Sequence, residues 1–457
     1  MYKSKKIIAA FTSVLLAACI CSCNSSSDSS STKDVSPQTR QELASLAAKD
    51  ERLTGELENK TIKWMANWNL NTDSNIERVV FQERYGGNIE ETIVDWDSRY
   101  EKLAAAINSD EGIDFFSAGD FDAFPKGAIK SMFIPVDDYI DYDSELWKDV
   151  KAANDKFTWN GEHYVICVNV NGGNTAVIYN KKTIEEYGLD DPADLYEQGK
   201  WDWDSFKRLL SEFVDTDNGL YGIDGYWTEA ALSLTTGVPY IGLKDGKLVN
   251  NLRDKNLERV QNYMTDLYNA GYVMDKEQFQ WKDMPSFVGE GKELFYPCGL
   301  WALYKSSDQW KKTFGEEAFF VPMPKDPQAD TYYIPSNIDG YLMVSGGHNP
   351  DGVVKYANCK RATLLNKDLN KVGEQMCIDS YGWTQEMLDM RANLDKLAAD
   401  NPVFDFYMGV SSDVADTLDS GETGIRASLQ HGTSWAETVS ACYNVIDALV
   451  EDANNSK

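Results

Sequence analysis

Histidine is nearly absent from this chain: its 457 residues hold only three. These are His163, His348 and His431, isolated from one another and without the spacing of zinc ligands. Also missing are a Gly-x-Ser-x-Gly elbow, a phosphate-binding loop and a dinucleotide fingerprint. Basic residues are scarce, with 44 Lys and Arg against 73 Asp and Glu and a formal charge of −29. That balance disfavours recognition of nucleic acid or anionic lipid through a basic surface. Past the first two dozen residues there is no second long apolar run, so the remainder is expected to be a soluble domain. Its cysteines are Cys167, Cys298, Cys359, Cys377 and Cys442. An odd number at irregular spacing reads as buried thiols rather than a disulfide framework, with one pair still able to form.

Aromatic residues, by contrast, are abundant: 13 Trp and 24 Tyr. Most belong to a core, and a few at loop ends would suit the flat C–H faces of sugar rings. Acidic pairs such as Asp95/Asp97 or Glu90/Glu91 fit the two-carboxylate requirement of glycoside hydrolysis. Among so many acids chance pairs are everywhere, so no enzyme is expected.

The start, "MYKSKKIIAAFTSVLLAACICSC", has Lys3, Lys5 and Lys6 ahead of an uncharged apolar stretch. This is the layout of a secretory signal peptide. "Leu16-Ala17-Ala18-Cys19" is similar to the lipobox of bacterial lipoproteins, which implies cleavage after residue 18 and a lipid on Cys19, with Cys23 as the alternative. Residues 19–60 then read as the lipidated cysteine and a flexible, Ser-rich tether, with some helix possible from about Glu42.

From Thr61 the pattern alternates. Strands are expected at 61–68, 89–96 and 113–120, and helices between them, the second opened by a capping box of Ser98 and Glu101. This β-α-β-α-β order predicts a parallel α/β sheet. Ligands of such sheets sit beyond the carboxyl ends of the strands, here Trp68-Asn69, Asp95-Trp96 and Gly119-Asp120-Phe121. Two apolar strands flank Asn171-Gly172-Gly173-Asn174, which is either a crossing between lobes or an ordinary hairpin. Helices are expected at 201–214 and 257–272, a strand with a Trp-bearing loop within 287–303, a broken strand pair at 331–347, and mainly helix from Pro350.

Six segments, in order, resemble family 1 extracellular solute-binding proteins, the receptors of bacterial ABC importers. They are "YEKLAAAINSDEGIDFF", "FIPVDDYID", "WNGEHYVICVNVNGGNTAVIYNKKTIEEYGL", "WDWDSFKRLL", "FVGEGKELFYPCGLWAL" and "GYLMVSGGHNP". The family's usual proline after the strand at 164–167 is missing. The resemblance implies an α/β fold of two lobes, each a mostly parallel sheet flanked by helices, joined by a hinge. It divides the chain into 61–170 and 339–400 for lobe 1 and 171–338 and 401–457 for lobe 2. Crossings are implied near Val170 to Thr175, Ile334 to Asp339 and Asp400 to Asp405. The implied function is capture of a sugar or oligosaccharide in the cleft and its delivery to an ABC permease, by a monomer lipid-anchored on the outer face of the cytoplasmic membrane. Another polar solute such as a peptide, or a sensor or adhesin role, is the alternative. No cofactor, metal or nucleic acid is implied. The implied ligand residues are Trp68, Asn69, Asp120, Asn171, Tyr226, Trp227, Trp301, Asp339 and Tyr341, with Trp and Tyr stacking on rings and Asp and Asn holding hydroxyls.

If residue 19 carries the lipid, Cys19→Ala should abolish labelling by a radioactive fatty acid. Labelling that persists in this variant and disappears in Cys23→Ala would move the anchor to the second site.

Overall fold

The computed structural model describes residues 35–72, 75–119, 121–225, 227–419 and 424–456. The expected signal segment and both candidate lipidation cysteines lie outside these. Two main sheets organise the chain. In the five-stranded sheet, the order is Asn88–Ile93, Thr61–Ala66, Phe115–Ser117, Asn337–Met343, Val165–Asn171. In the four-stranded sheet it is Ala318–Pro322, Ala176–Asn180, Glu293–Cys298, Tyr221–Ile223. Helices flank both, and the segment from Pro350 onward is helical.

The expected β-α-β-α-β unit is present: Thr61–Ala66 pairs in parallel with Asn88–Ile93 and with Phe115–Ser117. Its first helix, Ile76–Tyr85, stops where Gly86 turns left-handed at φ 66°, a conformation that glycine adopts without a Cβ clash. Each sheet is mostly parallel in strand direction, as expected, with a single reversed strand. Asn337–Met343 runs antiparallel to both neighbours, and so does Ala176–Asn180. These include the strands that change sheet: a chain that leaves one sheet and returns to it arrives in the reverse direction. The segment after Asn171 is therefore a crossing and not a hairpin, because the next strand, Ala176–Asn180, belongs to the other sheet.

Side chains of the five-stranded sheet alternate between two cores, as a strand period of two requires. Ile62, Trp64, Ala66, Phe115, Ile166 and Val168 enter one apolar cluster. Met65, Phe116, Val165 and Cys167 enter another, which continues into the four-stranded sheet through Ala176, Val177 and Ile178. The helix Trp203–Phe213 buries Phe206, Leu209, Leu210 and Phe213, as its pattern predicts. Four of the five body cysteines are buried, Cys377 is half-buried, and all five are free thiols.

Three expectations need correction. Ser98 makes no side-chain cap to its helix; its hydroxyl donates instead to the Asp95 carbonyl at 3.5 Å. The segment 331–347 holds one strand, Asn337–Met343, with a bulge between Asp339 and Gly340, and no partner strand before it. The largest correction concerns the tether. Residues 37–49 form a helix with Pro37 in its first turn, and the Ser36 hydroxyl accepts the Thr39 N–H at 3.1 Å. Leu43, Ala47, Leu53 and Leu57 are buried with Val79, Phe81 and Tyr356. Arg40 pairs with Glu83 at 2.8 Å, and the Tyr85 hydroxyl donates to the Thr54 carbonyl at 3.1 Å. Residues 36–60 thus belong to the compact structure, ahead of the expected start at Thr61.

Because Leu43 is fully buried, Leu43→Ala should cost about 2–5 kcal/mol of unfolding free energy. Denaturant titration checks this. A loss within about 0.5 kcal/mol, the usual range of a surface substitution, would return this helix to the tether.

Candidate functional site

The strand registers fix which ends of the sheets meet. In the five-stranded sheet, Ala66, Ile93, Ser117 and Asn171 are the carboxyl ends of strands running the same way, and Asn171 pairs with Asn337 at the start of the returning strand. In the four-stranded sheet, Ala176 pairs with both Cys298 and Pro322, and Phe295 pairs in parallel with Ile223. The carboxyl ends of Tyr221–Ile223, Glu293–Cys298 and Ala318–Pro322 therefore also point to the crossing. The loops after these strands gather at one place, which is where α/β sheets receive ligands.

On the first wall, Trp68 is 39% and Trp96 37% exposed. The Trp68 ring lies edge-on to buried Trp64 at 5.1 Å, and the Trp64 indole N–H donates to the Trp68 carbonyl at 3.0 Å. Glu91 accepts the backbone N–H of Leu70 and of Asn71, closing the loop that presents Trp68 and the exposed Asn69. Asp120 lies outside the described residues. Its neighbour Phe121 has φ 55° and packs on Phe157, Phe404 and Phe406. A bulky residue held at positive φ marks backbone strain, which clusters at functional sites.

At the crossing, Asn171 and Asp339 are half-buried. Asp339 approaches the Lys360 ammonium at 3.9 Å, and Glu77 does so at 3.5 Å. Burial opposes the Lys360 charge, but Asp339, Tyr341 and Glu77 outweigh it and hold the amine protonated well above its usual range. Tyr341 does not border the cleft as expected. It pairs with Ser117 and Ile166, deeper in the sheet, and its ring is 1% exposed among Trp64, Phe115 and Tyr356.

On the second wall, Tyr226 lies outside the described residues. Trp227 is half-buried with φ 55°, directly before the helix Thr228–Leu234. The turn is tied down from below. Asp224 is buried against the Lys276 ammonium, accepts the Met284 N–H at 2.8 Å, and lies 3.8 Å from Arg426, which also pairs with Asp283 at 3.0 Å. Trp301, 44% exposed, sits in the short turn Leu300–Leu303. That turn is fixed to the crossing because the Leu300 N–H donates to the Gly173 carbonyl at 2.8 Å. Tyr304 follows, 38% exposed and stacked on Trp383 at 4.9 Å.

Sequence reasoning named Trp96 as a strand end but did not place it among the ligand residues, and it singled out neither exposed Tyr304 nor exposed Trp281. Trp281 is 43% exposed, and it and Gln280 have φ of 59° and 57°. No glycine announces that turn, so pattern could not find it. Among the described residues no group of His, Cys, Asp and Glu is arranged to hold a metal, and no helix is long and apolar enough to cross a membrane.

Two sheets, each flanked by helices and joined at a shared crossing, make a two-lobed α/β fold. The sequence profile described as "Bacterial extracellular solute-binding protein" matches residues 80–364, and the chain belongs to that family. No curated protein sequence matches. Among solved structures, the chain is similar to a cyclic alpha-maltosyl-1,6-maltose binding protein from Arthrobacter globiformis at 15% identity, covering 86% of this chain and 99% of that one with a TM-score of 0.64. It is also similar to an ABC substrate-binding protein from Listeria monocytogenes in complex with cycloalternan, at 14% identity, 86% and 99% coverage and a TM-score of 0.61. A third is the GacH receptor of Streptomyces glaucescens, solved unliganded and with acarbose, at 15% identity, 86% and 98% coverage and a TM-score of 0.60.

The crossing has a pH signature. Burial raises the Asp395 carboxyl to about 6, against the pull of the Gly172 N–H and of Arg391. The folded state then holds a proton that the unfolded chain, titrating near 3.9, releases. Stability from this group is full below about pH 4 and lost as pH rises through about 6. Asp395→Asn keeps the amide acceptor but cannot ionise. Its stability relative to wild type should therefore rise between pH 4.5 and 7.5, by roughly 1–3 kcal/mol. Parallel denaturant titrations check this, and a difference independent of pH would contradict it.

Proposed function

We propose that this chain is the sugar-capturing receptor of an ABC importer, held on the outer face of the cytoplasmic membrane through its N-terminal cysteine. The observation that carries the reading is the presence of accessible indoles on both walls, Trp68 and Trp96 on one and Trp301 on the other, each just beyond a strand end. Amide and carboxylate groups at Asn69, Asn171 and Asp339 stand at the same crossing. Indole faces bury the C–H faces of pyranose rings, while amides and carboxylates take the hydroxyls. The oligosaccharides named with the Arthrobacter, Listeria and Streptomyces structures support a sugar ligand. The surplus of acidic charge gives no attraction for an anionic solute.

Asp120 and Tyr226 are proposed ligand residues from the sequence alone, and Trp227 from its place above the Asp224 turn. Tyr341 is withdrawn. The lobes are proposed as residues 61–170 with 339–400, and 171–338 with the segment after 400. The N-terminal helix now joins the first of these. The receptor is proposed to act as a monomer that binds sugar without cleaving it, handing it to membrane permease subunits.

A thermal-shift screen of mono- and oligosaccharides tests the reading, since a ligand of the folded state raises its melting temperature. A screen in which only peptides or amino acids stabilise the protein would replace sugar as the ligand. A ring stacked on an indole buries apolar area worth about 1–2 kcal/mol. Trp301→Ala should accordingly weaken binding of the stabilising sugar about ten-fold, the equivalent of 1.4 kcal/mol. Its melting temperature should barely change, because the ring is 44% exposed. Early melting with full affinity would place Trp301 in the core. Ligand recovered as smaller fragments by mass spectrometry would make the protein an enzyme.

A further inference from the structure

Trp96 is held in place by a buried cation. It follows Val94, whose N–H continues the ladder to the Ala66 carbonyl. This places it beside the loop of Trp68, one strand away. Three residues later, Arg99 opens the helix Arg99–Asn108 and folds its side chain back. The Arg99 guanidinium carbon lies 3.3 Å from the Trp96 ring centroid. One guanidinium nitrogen donates to the Trp96 carbonyl, and another is paired with the Asp122 carboxylate. Arg99 and Asp122 are 6% and 4% exposed. The inner face of the indole is thus covered by a buried guanidinium that Asp122 holds in place, while the residue remains 37% exposed.

A cation over an indole is attracted by its π-electrons. With one face so used, the opposite face attracts a second cation less, while its apolar area is unchanged. Arg99 and Lys126 both lie 4.8 and 4.7 Å from the Tyr100 ring, adding a second positive group nearby. Burial lowers Lys126, with help from Arg99 and Lys130, to about 8, so it is still largely charged at neutral pH.

We propose that Trp96 is a further ligand-binding residue, a stacking wall locked by the positioning residues Arg99 and Asp122, which accepts neutral sugar rings and rejects cationic ones such as amino sugars. This rests on the sugar-receptor reading above and adds a specificity to it.

The test is fluorine NMR of protein labelled with fluorotryptophan, with indole resonances assigned by single Trp→Phe variants. Maltotetraose, cycloalternan and β-1,6-galactobiose serve as neutral probes and the fully deacetylated chitosan tetramer as the cationic one. The expected result is that at least one neutral probe moves the Trp96 resonance and the chitosan tetramer leaves it in place. Trp96→Ala should weaken that neutral probe about five- to ten-fold, or roughly 1 kcal/mol. If Trp68 or Trp301 responds and Trp96 does not, this inference fails and the receptor reading stands. If no indole responds to any neutral probe, the receptor reading fails and takes this inference with it. Equal response of Trp96 to the cationic tetramer overturns the charge selection. The double variant Arg99→Met/Asp122→Leu removes both charges together and should let the chitosan tetramer move Trp96; continued rejection would overturn the role of Arg99. Should that variant not fold, the wild-type comparison of neutral and cationic probes decides alone.

Discussion

Everything in this architecture depends on the close approach of one helix to one glycine at the crossing. The helix Gln385–Asp400 packs against strands of both sheets, and the Gly172 N–H donates to the Asp395 carboxylate at 3.1 Å. A Cβ on Gly172 would lie 2.5 Å from the Leu394 carbonyl oxygen and 2.7 Å from the Ile334 side chain. Only a residue without a side chain lets both crossing segments lie under that helix. Because Asn171 and Asn337 are paired just before the crossing, and Ala176 is paired just after it, this one contact sets how the strand ends of the two sheets face each other.

The two walls are supported by different physics. Behind Trp68 stands an aromatic core of Trp64, Phe115, Tyr341 and Tyr356, with ring centroids 4.7 to 5.9 Å apart. Behind Trp227 stands a charged network of Asp224, Lys276, Asp283 and Arg426. Burial raises the Asp283 and Glu293 carboxyls there. Buried ion pairs of this kind contribute little net stability against an apolar replacement, because desolvation offsets the attraction. They are directional, however, and a turn that holds Trp227 at positive φ needs fixed partners more than it needs bulk apolar contact. The same contrast recurs at Trp96, where a paired Arg99 rather than an apolar floor fixes the ring.

Much of this was legible in the sequence because period and punctuation agree there. Ile76, Val79 and Val80 with Gly86 define a helix and its stop, and the alternation of strands and helices from Thr61 to Asp120 predicts parallel pairing. Pattern does not carry the direction of strands that change sheet, so the reversed strand in each sheet was not readable. Tyr341 shows a second limit. It lies two residues from Asp339 in the same strand, but a bulge separates them and Tyr341 is one step deeper, where the sheet is covered. The N-terminal helix was hidden by its Ser-rich approach. Its own signal, Ser36-Pro37 before Leu43 and Ala47, is an N-cap with proline in the first turn and an apolar face. Positive φ at Trp227, Gln280 and Trp281 left no trace, because none of them is glycine or asparagine.

The central claim is that solute is held between the strand ends of the two sheets. Hydrogen exchange with and without a stabilising oligosaccharide tests it most directly, since exchange reports local opening along the whole backbone. The account predicts that protection rises together in the loops 67–70, 94–98, 224–228 and 299–304, on both sides of the crossing. Protection confined to one sheet, or concentrated on the helices 37–49 and 435–455, would contradict it.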